Sequence, residues 1–199
     1  IRMENAEAGL DRLRHFCDTT IVIYNDRLLE LVPRLPIDAA FKVADEILMQ
    51  SIKGMTEIIT KPGLVNLDYA DLMTIMKGGG VAMIGLGESD ADRDRVEYAV
   101  NEALESPLLG EVDLTHARGV LVRIVGGPDL TISEAQKAAE LIGQRVNQSA
   151  RIIWGCSVEP ELERSVHVLL VITGVKSKSL LGREFAHAAT GASDVDEVR

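Results

Sequence analysis

The chain has 199 residues, of which 31 are acidic and 21 basic, giving a formal net charge of -10. Hydrophobic residues make up 46% of the sequence, which supports a folded core and excludes a chain that is disordered throughout. Nucleic acids and anionic membranes attract positive surfaces, so the acidic balance argues against binding to either. No apolar run reaches the roughly 18 residues of a membrane-spanning helix, and direct membrane insertion is not expected.

The cysteines and histidines do not predict a metal site. Cys17 and Cys156 lie far apart, and the four histidines are scattered without the spacing of metal ligands. We therefore expect no zinc, and we expect both thiols to be reduced core residues of a cytoplasmic protein.

The first 36 residues predict a helix over 4–16 and a buried strand over 20–24, followed by a short helix over 28–32. The predicted strand has edges that need pairing partners. The sequence alone leaves three alternatives open for residues 1–35, which are to stay folded, to be disordered or to be exchanged between chains.

Residues 37–60 predict one continuous helix, about 35 Å long, that ends before Pro62 and Gly63. Its length and wide apolar arc favour a helix that joins two domains, with Gly54 at its surface. The predicted apolar stripe consists of Ile37, Phe41, Ala44, Leu48, Ile52, Met55 and Ile59, and the predicted polar face of Lys42, Glu46, Gln50, Lys53 and Glu57.

The rest of the chain alternates between strands and helices. A short helix over 68–77 precedes strands over 81–87, 119–125, 152–158 and 166–175, with helices over 92–104 and 133–146 between them. This order predicts a small sheet with helices on one face, in an α/β or α+β module. From residue 176 onward the pattern predicts a frayed tail.

Asn66, Asp68 and Asp71 are the strongest candidates for chemistry, because they lie where a loop enters a helix. Paired carboxylates can polarise a water molecule or bind a divalent cation. The same spacing fits a capping box, with Asp68 as N-cap and Asp71 three residues later. The spacing alone favours the cap, although one pair of carboxylates can serve both roles.

Phe41 and Asp45 lie one helical turn apart and share a face of the long helix. An aromatic ring beside a carboxylate can stack on a purine and accept hydrogen bonds from its N–H groups. A core phenylalanine and a boundary aspartate are the simpler interpretation of the same spacing.

Several motifs, in chain order, resemble FtsZ, the family of tubulin-like cell-division GTPases. They are NDRLL at 25–29, AFKVAD at 40–45, IITKPG at 58–63, GLVNLDYAD at 63–71, SPLL at 106–109 and ARGVLV at 117–122. The resemblance extends from Arg2 to about Val175, and several long motifs in order make chance agreement improbable.

The resemblance implies a tubulin/FtsZ-like α/β fold in which the glycine-rich phosphate loop of the family precedes this chain. Its parts would be a remnant of the GTPase domain (1–36), the central connecting helix (37–62), the catalytic or synergy loop with a short helix (63–77), a C-terminal activation domain (78–175) and a tail (176–199). The activation domain would have βαβαββ order and a four-stranded mixed sheet.

The resemblance also implies roles for the candidate residues. The nucleotide-binding residues would be Arg2, Asn25, Phe41 and Asp45, with GTP or GDP and Mg²⁺ bound in the full-length protein. Asn66, Asp68 and Asp71 would complete the GTP pocket of the next subunit, so that hydrolysis occurs in trans and the fragment alone is inactive.

The implied partners are further copies of the protein, in head-to-tail filaments, and cell-division adaptor proteins at the division site. A different interpretation is a non-enzymatic interaction module that caps growing filaments. An unrelated metal-dependent phosphohydrolase built on Asn66, Asp68 and Asp71 would need further acidic or histidine ligands, which the sequence does not obviously supply.

Overall fold

The computed structural model describes residues 2–23, 27, 36–61, 63–65, 67–110 and 112–177. Its helices are α1 (Arg2–Phe16), α2 (Ile37–Thr60), α3 (Tyr69–Met76), α4 (Arg95–Leu104) and α5 (Ile132–Arg145), with a short 3₁₀ helix at Leu114–His116. Its strands are β1 (Thr19–Ile21), β2 (Gly80–Ser89), β3 (Val112–Asp113), β4 (Gly119–Gly126), β5 (Arg151–Val158), β6 (Val166–Thr173) and β7 (Lys176–Ser177). The helix predicted over 28–32 lies outside the described residues.

Strands β2, β6, β4 and β5 form the mixed sheet that the sequence predicts. The full strand order is β1-β2-β6-β4-β5, with β1–β2 and β4–β5 parallel and with β6 antiparallel to both of its neighbours. β6 lies at the centre because its run of apolar residues is buried on both faces, as expected of a central strand.

The N-terminal strand is a fifth member of this sheet. β1 pairs in parallel with β2, with Thr19 opposite Gly80 and Ile21 opposite Ala82. β1 is therefore paired within its own chain, because β2 offers it a pairing edge. β7 likewise pairs with β3, so regular structure extends two residues into the predicted tail.

The sheet carries helices on both faces, whereas the sequence order predicted helices on one. Alternate residues of a strand point to opposite faces, and β6 divides accordingly. Leu170 and Ile172 join a core with α4 and α5, and Leu169 and Val171 join a second core with α2 and α3. The expectation failed because α2 and α3 precede the sheet in sequence but pack against its second face.

The buried face of α2 is rotated by about one residue from the predicted stripe. Ser51, Gly54 and Ile58 face the sheet, with Ser51 3% and Ile58 8% exposed. Small residues allow a close approach, and a Cβ added to Gly54 would lie 3.3 Å from a methyl group of Leu169. Gly54 is thus buried, not at the surface as expected.

The predicted apolar stripe of α2 is largely uncovered. Phe41, Ile52 and Ile59 are exposed, while Glu57, which was assigned to the polar face, is buried. Hydrophobicity alone gave the wrong face because the residues that contact the sheet are small or ion-paired. Of the two cysteines, Cys156 is buried as expected, but Cys17 is exposed, since it follows the solvent-facing end of α1.

None of the helices in the described part of the chain is both long enough and apolar enough to cross a membrane.

Candidate active site

Asp68 and Asp71, which we call the acidic turn, form a capping box at the start of α3, as their spacing predicts. The backbone N–H of Asp71 donates to Oδ1 of Asp68 at 2.7 Å, and the N–H of Asp68 donates to Oδ2 of Asp71 at 3.4 Å. Asp68 is exposed and Asp71 half-buried. Each cap uses one carboxylate oxygen, so the second oxygen of each side chain takes no part in the capping box.

The loop that leads to this turn is fixed to the edge strand β5. The N–H groups of Leu64 and Val65 donate to the carbonyl of Cys156 at 2.8 and 3.2 Å, and the N–H of Cys156 donates to the carbonyl of Val65 at 3.2 Å. β5 lies at the edge of the sheet, so these bonds pair part of its open side. The acidic turn therefore leaves the sheet from a defined point.

Two glycines allow the loop to approach β5 this closely. A Cβ added to Gly63 would overlap the carbonyl oxygen of Cys156, and one added to Gly155 would lie 3.1 Å from the side chain of Leu67. Leu67, 8% exposed, fills the space beside Gly155 and anchors the residue before Asp68. Both positions therefore require glycine, because any side chain there would push the loop away from β5.

Four charged side chains surround the junction between α2 and the loop. Glu57 accepts from Nη2 of Arg123 at 2.7 Å and from Nζ of Lys61 at 2.8 Å, and Glu159 lies 3.6 Å from Arg123 and 3.3 Å from Lys61. These residues form a closed ring of alternating charge, which we call the charge ring. The sequence interpretation missed it, although a lone arginine in the otherwise apolar strand β4 was a signal.

The charge ring changes the pKa of Glu57 and of Lys61. Burial disfavours the charged form of Glu57, but the hydrogen bond from Lys61 and the charge of Arg123 outweigh it and hold the pKa of Glu57 below its ordinary value. Hydrogen bonds to Glu57 and Glu159 raise the pKa of Lys61. Glu57 and Lys61 are therefore both charged near neutral pH.

The predicted nucleotide-binding residues lie toward the other end of α2. Phe41 and Asp45 are both exposed and one turn apart, an arrangement in which a ring and a carboxylate can meet one flat ligand. Arg2 lies in α1, but its side chain falls outside the described residues, as do Asn25 and Asn66.

The two groups of candidates are not brought together within one chain. At 1.5 Å per residue, the helix from Asp45 to Thr60 is about 22 Å long, and the acidic turn follows beyond it. Hydrogen bonds reach only about 3 Å, so these residues belong to two separate surfaces. The described residues contain no group of three or more His, Cys, Asp or Glu side chains that could hold a metal ion.

Comparison with solved structures defines the class of fold. An empty FtsZ dimer from M. jannaschii matches 98% of this chain and 57% of that chain, with a TM-score of 0.83 and 44% sequence identity. An FtsZ W319Y mutant from M. jannaschii matches 87% of this chain and 52% of that chain, with a TM-score of 0.82 and 49% identity. The chain therefore has the tubulin/FtsZ fold.

Sequence comparison identifies the family. Residues 80–176 match the model of the FtsZ family, C-terminal domain. Cell division protein FtsZ 1 of Archaeoglobus fulgidus is 54% identical over 199 residues, which cover 100% of this chain and 53% of that protein. The chain belongs to the FtsZ family, and it spans about half the length of the curated relatives that it matches.

Proposed function

We propose that this chain is part of a GTP-hydrolysing filament protein of the cell-division ring, and that the acidic turn of one subunit completes the GTP pocket of the next. Arg2, Asn25, Phe41 and Asp45 contact the nucleotide of their own subunit. The division into parts at residues 36, 62, 77 and 175 belongs to the same proposal, as do adaptor proteins at the division site.

The separation of the two candidate surfaces along α2 carries this proposal. Asp45 lies about 22 Å along α2 from Thr60, the end of the helix where the loop to the acidic turn begins, and Asp45 and Asp68 are both exposed. A nucleotide held against Phe41 and Asp45 is beyond the reach of Asp68 and Asp71 in the same subunit. Stacking of subunits along the direction of α2 brings the acidic turn of one to the nucleotide of another.

Such stacking uses different surfaces on the two partners. A heterologous contact of this kind produces an open filament when the rotation between subunits does not close a ring. The known dimer of a 44% identical FtsZ supports self-association. Splitting the site between subunits also makes hydrolysis depend on assembly, because each subunit holds half of the chemistry.

The chemistry available to the acidic turn is the positioning of water. In-line attack on the γ-phosphate requires an oriented water molecule, and the carboxylate oxygens of Asp68 and Asp71 that the capping box does not use can accept its hydrogen bonds. When bound, Mg²⁺ offsets charge on the phosphoryl oxygens. The described residues contain no group of three or more His, Cys, Asp or Glu side chains that could hold it, so we expect Mg²⁺ to arrive with the nucleotide.

A chimaera tests the proposal: this chain replaces the matching 199 residues of the A. fulgidus protein. We expect Asp71→Ala to lower GTP turnover at least 100-fold, while GTP binding and polymer mass in a sedimentation assay persist. The control is Thr131→Ala, which breaks the capping box of α5 at its N-cap residue. Either change costs about 1 kcal/mol of stability as a lost cap. Equal loss of turnover in both variants would mean that Asp71 acts only as a cap.

A second role follows from the fact that the chain carries an acidic turn but spans about half the length of its relatives. Added in isolation to full-length FtsZ, it offers one complementary face and ends a growing filament. Inhibition of sedimentation at substoichiometric amounts of the chain supports this capping role, whereas stimulated GTP turnover supports a competent half-site. Turnover by the isolated chain alone would contradict the shared-site proposal.

A further inference from the structure

We propose that Arg123 is a positioning residue for the acidic turn, and that it acts through the charge ring formed with Glu57, Lys61 and Glu159. The inference rests on the proposed function, because it explains how the turn is held where a neighbouring subunit can use it. Arg123 itself lies on β4 and belongs to neither of the two candidate surfaces.

The charge ring joins three parts of the fold. Glu57 and Lys61 belong to the last turn of α2 and the residue that ends it, Arg123 to β4, and Glu159 follows β5. Each carboxylate contacts both cations, so two positive and two negative charges balance. The side chains of Glu57 and Arg123 are each only 11% exposed, so water screens this pair weakly.

The sheet directs the guanidinium group of Arg123 toward α2. Arg123 lies two residues after Leu121, which packs in the core shared with α2 and α3, and residues two apart on a strand share a face. A Cβ added to Gly54 would lie 3.8 Å from Nη1 of Arg123. The glycine thus leaves room for the arginine between the helix and the sheet.

The charge ring holds the first residue of the loop, Lys61, and strand β5 holds the loop again at Val65. Lys61 is held by Glu57 and Glu159, and Val65 is held by Cys156 four residues later. Glu57, Lys61 and Arg123 also line a cavity of about 20 Å³. Its other walls include Gly63, Val65 and Leu67 of the loop, so the ring and the loop share one boundary.

Removal of Arg123 leaves Glu57 and Glu159 with Lys61 as their common partner. Lys61 is 47% exposed on a flexible stem and can follow either carboxylate. The end of α2 then loses its ion pair with β4, and the loop keeps only its hydrogen bonds to β5. The expected consequence is a loop that detaches more often and an acidic turn that is less often in place.

Hydrogen exchange of the intact chain measures this detachment directly. Arg123→Met should accelerate exchange of the Leu64 and Val65 amides at least tenfold and leave the amides shared by β2 and β6 unchanged. The matched control is Arg164→Met, which removes an arginine whose side chain is 80% exposed and 3.4 Å from Asp92. Unchanged exchange at Leu64 and Val65 would overturn the proposal.

GTP turnover per polymerised subunit of the chimaera provides the functional readout. Arg123→Met should lower it about tenfold at equal polymer mass and equal GTP binding, and Arg164→Met should not. Arg123→Lys should retain most of the turnover, because both carboxylates contact the single nitrogen Nη2, which one ammonium group can replace. Equal losses for methionine and lysine would contradict an electrostatic role.

A double variant separates positioning from stability. Glu57→Gln with Arg123→Met also neutralises the buried carboxylate that has lost its arginine partner, so the unfolding midpoint should return toward that of the parent chain. Turnover should stay low, because the ion pair between α2 and β4 is still missing. Recovery of turnover together with stability would show a merely structural role.

The single variants separate this inference from the proposed function. If Asp71→Ala abolishes turnover and Arg123→Met does not, this inference alone fails. If Asp71→Ala leaves turnover intact, the proposed function fails.

Discussion

Gly63 lies directly against the carbonyl of Cys156, so closely that a single added Cβ would overlap the carbonyl oxygen. The contact stands next to the hydrogen bonds that hold Leu64 and Val65 on β5. A side chain at residue 63 must therefore push the loop away from the sheet or leave the oxygen of Cys156 without its two donors.

Gly63→Ala should detach the loop and lower the stability of the chain by about 1–3 kcal/mol, the cost of a clash that leaves a backbone acceptor unpaired. In the chimaera, GTP turnover should fall together with stability. Gly9→Ala is the control: nothing lies within 4 Å of the added Cβ, and alanine favours a helix by about 1 kcal/mol. Chemical denaturation of both variants checks the prediction, and an unchanged Gly63→Ala midpoint would contradict it.

Acid should weaken the charge ring. The pKa of Glu57 in the folded chain lies below its ordinary value of 4.5, so the stability that Glu57 contributes is present above that value and is lost as the pH falls through its folded pKa. Denaturation midpoints measured from pH 6 down to pH 3 should fall, and less steeply in Glu57→Gln. Equal slopes in parent and variant would show that the carboxylate contributes no pH dependence.

The orientation of α2 can be tested by truncating side chains on its two faces. Ile58→Ala should cost about 2–5 kcal/mol, because Ile58 is 8% exposed in the core of the second face. Ile52→Ala should cost less than about 1 kcal/mol in this chain, because Ile52 is 62% exposed. Thermal or chemical unfolding of the two variants gives the comparison. A larger loss of stability in Ile52→Ala than in Ile58→Ala would show that the face predicted from hydrophobicity is the buried one.

Substitution of Phe41 or Asp45 should affect binding more than folding. Phe41→Ala and Asp45→Asn should each weaken GTP binding by the chimaera at least tenfold, since a stacking surface or an acceptor for the base is lost. Because Phe41 is 58% exposed, the isolated chain should unfold within about 1 kcal/mol of the parent. Ile59→Ala, on an exposed side chain near the other end of the same helix, should leave GTP binding unchanged. Unaltered affinity in Phe41→Ala would remove that residue from the proposed site.

The periodicity of the sequence was sufficient to place most helices and strands. The predicted helix over 37–60 coincides with α2, and the predicted strand over 119–125 differs from β4 by one residue. The capping box of Asp68 and Asp71 was also predictable, because it depends on residues three apart. Such local features could be predicted because they depend only on residues that are close in the sequence.

Contacts between distant segments were not predictable in the same way. Hydrophobicity assigned Ile52 to the buried face of α2 and Glu57 to the polar face, whereas Glu57 is buried and paired with Arg123, 66 residues later. A charged residue can be buried when its partner arrives from another element, and no count of apolar residues on one helix contains that information.

The amino-acid sequence by itself therefore determined the order of elements, the cap at the acidic turn and, through its motifs, the resemblance to FtsZ. The tertiary structure decided which face of α2 meets the sheet, how β1 completes that sheet, and how the loop before Asp68 is held. The physical reason is range: periodicity and capping act within a few residues, whereas close packing at Gly54 and Gly63 and the pairing of Glu57 with Arg123 exist only once separate elements are brought together.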